Sequence, residues 1–366
     1  MTIREKIMNS ENQVDHDKLM GLFGSVFNDV QGAVGILMSY LGDQTGVYKA
    51  MDKLGSSNVS AIAEEANVDE RYLQEWLSSN AARGYVNFDA NSDEFSLSPE
   101  QASVFARESE PTCIQGLMQG VVGQFVKEDV AIDVFKTGRG RPWDEHHECC
   151  FCGTERFFRP AYASHLLEEW IPALDGVEEK LKSGAKVADI GCGLGTSSIL
   201  MAEQYPNSTI HGFDFHGPSI EEAKKRAQDK GLTNLEFFVS DAADIPQNNY
   251  DLACIFDAWH DMGDPVGIAS TIKDTLAADG TFMVVEPMAL DGMANNISNN
   301  PASGMMYGFG TLVCVPASRA QNNGTGLGLG PQAGPKKLME LLSESGFEKV
   351  NLAAETSNNL VLQATS

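Results

Sequence analysis

One decapeptide constrains this chain more than any other stretch: Val187-Ala-Asp-Ile-Gly-Cys-Gly-Leu-Gly-Thr196. Val187 to Ile190 reads as a short buried strand. Glycines at 191, 193 and 195 break it, and a helix starts at Thr196-Ser197 and runs through Ile199-Leu-Met-Ala202. A strand that turns on glycines into a helix lets a ligand approach bare backbone amides. Asp214 follows at the end of the next apolar run, where a nucleotide fold places an acidic residue against ribose hydroxyls. A nucleoside cradle is expected, and the rest of the chain must say which nucleoside.

From residue 183 onward strands and helices alternate. The pattern predicts strands at Lys186–Ile190, Thr209–Asp214, Leu235–Ser240, Tyr250–Asp257, Gly280–Glu286, Lys349–Glu355 and Leu360–Thr365. Helices are expected at 196–205, 218–231, 264–278 and 335–346. Such alternation specifies a parallel sheet covered by helices on both faces. Only Thr356-Ser-Asn-Asn359 separates the last two strands, so they should form an antiparallel hairpin at the end of the sheet.

Residues 56–110 carry a different signature. A short amphipathic helix, Val59–Ala66, meets a turn at Asn67-Val-Asp69, and a second helix runs from Glu70 to Ala82 with Gly84 as its stop. Tyr85-Val-Asn-Phe88 and Glu94-Phe-Ser-Leu97 flank a turn at Asn91–Asp93. Helix, turn, helix and a small hairpin describe a winged helix. A reader of DNA needs several Lys or Arg on the second helix, which carries only Arg71 beside Glu70 and Glu75, with Arg83 at its end. A structural or dimerising module is the better reading. Upstream, Met20-Gly-Leu-Phe23 and Ala33-Val-Gly-Ile-Leu-Met38 are spaced for one or two buried helices. They are either packed against a second subunit or part of their own domain's core.

Charge narrows the partners. With 26 Lys and Arg against 51 Asp and Glu, the net charge is −25, a surface that repels phosphate backbones and anionic lipid. No run approaches membrane-spanning length and Met1–Lys6 holds no apolar signal core, so a cytoplasmic protein without nucleic-acid or membrane partners is expected. Seven cysteines outside any small disulfide-framework spacing fit reduced thiols. The stretch Asp144–Cys152 is unusual: His146, His147, Cys149, Cys150 and Cys152 could be half of a zinc motif, reactive thiols at a pocket entrance, or plain loop residues. A second CxxC at finger spacing is absent, and no metal is assigned.

Asp189-Ile-Gly-Cys-Gly-Leu-Gly195 fits D-x-G-x-G-x-G rather than the dehydrogenase spacing. Asp214 ends the second strand, Asp241-Ala242 follows the third, Tyr250-Asp-Leu-Ala253 opens the fourth, and a hairpin closes the sheet. With these in hand, the C-terminal half resembles a class I S-adenosylmethionine-dependent methyltransferase. With the winged helix in front, residues 15–366 resemble the small-molecule methyltransferases built that way, plant and bacterial O-methyltransferases among them.

The resemblance implies an α/β, Rossmann-like seven-stranded methyltransferase sheet (last strand antiparallel) behind an α-helical winged-helix domain. It divides the chain into a dimerisation domain at 1–110, a helical connector and pocket cap at 111–180, and a cofactor domain at 181–366. It also implies S-adenosylmethionine as cofactor and a likeness in site residues. Gly191, Gly193 and Gly195 would lie against the methionine moiety and ribose, Asp189 would support the methionine amino end, and Asp214 would hold the ribose hydroxyls. Asp241 would meet the adenine amino group with Ala242 beside the ring, although Asp241 could equally cap the turn that follows it. Asp257 is counted with this cofactor-binding set, and Asp257 or Asp261 could also orient a neighbouring histidine.

That histidine is His260, in Phe256-Asp-Ala-Trp-His-Asp-Met262, where the plant enzymes carry their general base. Its unperturbed pKa of ~6.5 suits proton removal near neutrality. The alternative is that it packs on Trp259 and caps the next helix with Asp261. Glu286 matches a frequent acidic position of the family, with no role assigned. In the insertion at about 288–334, Met305–Phe309 reads as a helix, and Met306, Tyr307 and Phe309 are candidate pocket-wall residues. The reading overall is a homodimeric enzyme that methylates a small-molecule hydroxyl or thiol. A ligand-sensing transcription regulator with a methyltransferase-like sensor is the alternative.

Overall fold

The computed structural model describes residues 14–366. They form two compact units, the first ending at Arg107 and the second beginning at Glu108.

In the first unit one 29-residue helix, His16–Gln44, starts on Asp15, whose side chain accepts the N–H groups of Asp17 and Lys18. Two separate buried helices were one expectation from the sequence. A single helix forms because the glycines at 21, 24, 32 and 35 lack the proline or turn chemistry that would break it. Burial in its own domain's core holds for part of the helix: Gly35, Ser39 and Gly42 are buried, and Trp76 Nε1 donates to the Met38 carbonyl at 2.7 Å, whereas the first half is open. Leu22 (65%), Phe23 (61%) and Phe27 (54%) lie exposed along the helix. The winged motif follows as expected: helices Val59–Ala66 and Glu70–Ala82, then strands β1 (Asn87–Asp89) and β2 (Glu94–Ser96), paired antiparallel. Asn58 and Asp69 cap the two helices through their side chains. Tyr48, Met51, Ile62, Leu73, Trp76 and Leu77 fill the core between them.

The second unit is a seven-stranded sheet. Its strands are β3 (Lys186–Ile190), β4 (Thr209–Asp214), β5 (Leu235–Val239), β6 (Tyr250–Phe256), β7 (Leu276–Pro287), β8 (Lys349–Glu355) and β9 (Asn359–Thr365). They lie in the order β5-β4-β3-β6-β7-β9-β8. β3 to β7 are parallel, and β9 runs antiparallel to both β7 and β8. Helices Thr196–Gln204, Gly217–Asp229, Pro265–Thr275 and Pro335–Glu344 cover the faces, so Val187, Ile190, Leu252, Ile255 and Val284 are buried in the layers they create. The strand order reverses at β3, between β4 and β6, and such a switch point opens a crevice at the carboxyl ends of the strands.

The connector is helical, as expected, and opens with two helices parted at Lys127, Gln115–Val126 and Glu128–Thr137. The segment after His147 is no loop but an 18-residue helix, Glu148–His165, carrying Pro160 inside it and continuing as a π-helical turn to Trp170. It packs closely on Gln115–Val126: a side chain at Gly153 would meet the backbone of Gly116 and Gly120. Among the described residues no helix is long and apolar enough to cross a membrane.

Replacing Gly153 by valine should therefore destabilise the second unit by about 1–3 kcal/mol, the usual cost of overpacking. A urea midpoint unchanged from the wild type would show that the two helices are not in close contact.

Candidate functional site

β3 ends at Ile190 and the chain turns on three glycines with φ of 71°, 52° and 80°. The N–H groups of Gly191 and Cys192 donate to the Phe213 carbonyl, which closes the turn on β4. The Gly193 N–H donates to Asp214 Oδ2 at 2.9 Å, and the His216 N–H donates to Asp214 Oδ1 at 2.8 Å. Asp214 thus clamps the glycine turn to its own strand end, and burial raises its pKa despite those two donors. Of the three glycines, Gly195 has the least room, since a side chain there would meet the Phe237 ring and Ala223.

Asp189 lies a layer below, fully buried. Its Oδ2 accepts the hydroxyls of Ser197 (2.6 Å) and Ser198 (2.5 Å), while Oδ1 is buried without a partner. Burial pushes its carboxyl up to about 6. An orphaned carboxylate oxygen under an open turn is a place where an ammonium or a water recovers free energy.

Above the turn lies a cavity of about 320 Å³, lined by Gly191, Gly193, Asp214, Asp241, Ala242 and Asp257. Asp241 caps the short turn that follows it, its Oδ1 accepting the Ala243 N–H at 2.9 Å, and the exposed residue also lines the cavity. Helix 148–165 forms the opposite wall with Phe151, Thr154, Phe158 and Tyr162. It is pinned there by Glu155, which accepts the Thr196 hydroxyl at 2.8 Å and pairs with Arg226 at 3.1 Å.

Asp257 stands at the far end of this cavity in the left-handed region, φ 50°. That conformation costs a non-glycine residue about 1–3 kcal/mol and persists only where neighbours fix it. Tyr162 Oη and Asn359 Nδ2 each donate to its carboxylate at 2.8 Å. Burial first, and then the charge of Glu286, push its carboxyl up to about 8.

His260 follows on a single 3₁₀ turn, Trp259–Asp261, and is buried. Glu286, at the end of β7, accepts the backbone N–H of Trp259 (3.0 Å) and His260 (3.3 Å), and its Oε2 meets His260 Nδ1 at 2.5 Å. Nε2 lies 3.1 Å from Asp261 Oδ1. Burial opposes a charge on the ring, yet Glu286 and then Asp261 outweigh it, so the pKa sits well above the ordinary histidine value. Of the two acids expected to orient this ring, Asp261 touches it, while Asp257 is bonded to Tyr162 and Asn359. The stronger partner, Glu286, had no role assigned from sequence.

A second cavity, about 90 Å³ and almost wholly apolar, opens beside this histidine. His260, Asp261 and Cys314 form its polar edge, against Phe157, Met306 and Phe309. Trp143, Thr154, Phe158, Asp257 and Asp261 line both cavities, so the two meet. Tyr307, the third candidate wall residue, faces a different groove. The 146–152 cluster does not converge. His147 caps helix 148–165 through Nδ1, Cys149 and Cys150 are buried, and Cys152 is exposed. Sequence reasoning missed Tyr162, Asn359, Ser197 and Ser198. The two serines were open to inference, because the first turn of the helix after the glycines must face the end of β3.

Residues 181–346 match the family model described as a methyltransferase domain, and residues 32–107 the Rv2258c-like winged HTH domain. The aklanonic acid methyltransferase DauC of Streptomyces sp. (strain C5) is 32% identical over 109 residues, 29% of this chain and 50% of that protein. The chain spans about half or less of the length of the curated relatives it matches. Among solved structures, the mitomycin 7-O-methyltransferase MmcR superposes with a TM-score of 0.69 at 18% identity, covering 96% of this chain and all of that one. Human N-acetylserotonin methyltransferase in complex with SAM gives 0.70 at 16% identity, covering 98% and 99%. At those identities the likeness is one of fold.

Gly195→Ala combines a left-handed backbone with a steric conflict and should cost about 2–5 kcal/mol, whereas Gly193→Ala, with open space at Cβ, should cost only about 1–2 kcal/mol. Equal denaturation midpoints for the two variants would contradict this geometry of the turn.

Proposed function

We propose, from the premise that this chain belongs to the class I S-adenosylmethionine-dependent methyltransferases with a winged N-terminal domain, that it methylates a hydroxyl or thiol of a small molecule, with His260 as general base. The observation that carries this reading is the meeting of the two cavities at Asp257 and Asp261, one with nucleoside-binding chemistry and one apolar and ending in His260.

The residues present fit the cofactor. The orphaned Asp189 Oδ1 suits an ammonium directly or through water, the open space at Gly193 suits a close-lying ligand, and Asp214 and Asp241 offer acceptors to a diol and an amine. When bound, the cofactor supplies a methyl group activated on a sulfonium. The chain's own residues must then align the acceptor and take its proton.

Glu286 fixes the His260 ring and stabilises it when charged, so the acceptor's O–H or S–H proton passes to Nε2. Asp261 must yield its place against Nε2 to the acceptor as it enters. The small volume and the Phe157, Met306 and Phe309 walls favour a compact, apolar acceptor group. Arg71, the one basic residue within the second winged helix, is paired with Glu75, which supports a structural role for that motif over one on nucleic acid.

We also propose that the exposed apolar side of helix 16–44 packs on a second copy of the chain. The first half of that helix exposes Leu22, Phe23, Val26, Phe27 and Val30, the kind of clustered apolar surface that marks an interaction face. A cytoplasmic location remains part of the proposal, in keeping with the free cysteines.

Four outcomes are expected. Asp214→Ala should weaken S-adenosylmethionine binding by roughly 30-fold or more, the worth of hydrogen bonds to a charged group; unchanged affinity in calorimetry would refute the assignment. His260→Ala should bind cofactor normally but lose about 10²–10⁴-fold in turnover. Because the folded pKa of His260 is raised, its neutral, proton-accepting form gains population only as pH climbs past that value. The rising limb of kcat/KM should therefore lie above pH ~6.5, and Glu286→Gln should move it to lower pH; a limb that does not shift would remove the pair from the mechanism. Finally, Phe23→Glu with Phe27→Glu should give monomers in light scattering, and an intact dimer would place the interface elsewhere.

A further inference from the structure

Three side chains at the edge of the small cavity come together in a way that proton transfer does not need. His260 Nε2, an Asp261 carboxylate oxygen and Cys314 Sγ all lie within 4.8 Å of one another, the one such group of His, Cys, Asp and Glu among the described residues. None of the cysteines or histidines at 146–152 takes part in it. His260 and Cys314 are buried, and Asp261 Oδ1 is a buried oxygen that faces His260 Nε2 at 3.1 Å. Cys314 closes a π-helical turn, Gly310–Cys314, an irregularity often found where a helix must aim a functional side chain.

We propose that His260, Asp261 and Cys314 form a binding site for a soft divalent cation of the zinc class, with its fourth position open to the small cavity. Imidazole, thiolate and carboxylate are the donor set that selects such a cation over magnesium or calcium. Ligand atoms around tetrahedral zinc stand about 3.5 Å apart, so side-chain adjustments of roughly an ångström close the site. Three protein ligands with an open fourth place are the pattern of reactive zinc sites rather than structural ones.

The outer sphere is already built. Glu286 holds Nδ1, which leaves Nε2 as the ligating nitrogen, and carboxylate–histidine–metal chains of this kind orient and strengthen a ligand. Electrostatics agree: a neutral imidazole, a carboxylate and a thiolate carry two negative charges, which the cation cancels in an otherwise apolar cavity. Loading releases the Cys314 thiol proton, and any proton on Nε2, to solvent.

A cation on Nε2 also occupies the lone pair that the proposed base uses. The metal-loaded chain then holds its acceptor cavity in a blocked state, or presents the open position to an acceptor thiolate. The site itself stands on geometry alone and does not depend on which of these follows.

The test uses the full chain stripped with a chelator and titrated with Co²⁺, then Zn²⁺. One equivalent of Co²⁺ per chain is expected, with a thiolate-to-cobalt charge-transfer band that Zn²⁺ displaces. The band should vanish in Cys314→Ser and in His260→Gln and persist in Cys149→Ser/Cys152→Ser, with circular dichroism showing which variants are folded. In the wild type, Zn²⁺ should protect Cys314 from alkylation, read by mass spectrometry, which keeps the test open if a variant does not fold. Absence of the band, its survival in folded Cys314→Ser, or alkylation of Cys314 at an undiminished rate under Zn²⁺ would overturn the site. Because these readouts are spectroscopic and chemical, a chain inactive in methyl transfer would count against the proposed base and leave this site unaffected.

Discussion

The carboxylate of Glu286 is the interaction on which the rest of the site depends. It is nearly inaccessible to water at the end of β7, a position where an unpartnered charge would cost several kcal/mol. Three donors from one short turn compensate it: the backbone N–H groups of Trp259 and His260 and the His260 ring. Those bonds dictate where the chain goes after β6. They hold the 3₁₀ turn against the neighbouring strand and orient the His260 ring, beside an Asp257 whose left-handed conformation is accompanied by bonds from Tyr162 and Asn359 to its carboxylate. One buried charge therefore holds the turn that carries the proposed base, next to Asp257, which lines both cavities.

The cofactor side is arranged by a similar economy. Asp214 accepts from Gly193 and His216 before any ligand arrives, so the glycine turn is held open by the residue proposed to bind the ribose. Preorganisation of this kind lowers the ordering cost of binding. The cap is tied down separately, through Glu155 to Thr196 and Arg226. Helix 148–165, in close glycine contact with helix 115–126, places Phe158 and Tyr162 on the wall of the larger cavity, and Phe158 also lines the small one.

Much of this was legible in the sequence because it is local. The glycine turn, the strand end at Asp214 and the place of Asp241 just after the third strand of the sheet follow from period-two and period-3.6 patterning broken by glycine and aspartate, and the place of His260 after the fourth from the family resemblance. The partners of Asp257 were not legible, since Tyr162 and Asn359 lie 95 and 102 residues away and meet it only through the cap and the antiparallel β9. Glu286 was visible as a position but not as the clamp on His260, because its role depends on β6 and β7 being neighbours. The helix at 148–165 was hidden by its composition: cysteines, a glycine and an internal proline give weak helix propensity, which packing against helix 115–126 overrides. Likewise, Cys314 joins His260 and Asp261 only through the fold of the insertion.

The central claim is that the cofactor lies in the larger cavity with its sulfur directed toward the junction at Asp257 and Asp261, facing the small cavity that ends in His260. A crystal structure of the full chain with S-adenosylhomocysteine tests it most directly. The account predicts the ribose on Asp214, the adenine beside Asp241 and Ala242, and the sulfur at the mouth of the small cavity. A nucleoside bound elsewhere, or a sulfur turned away from His260, would contradict it.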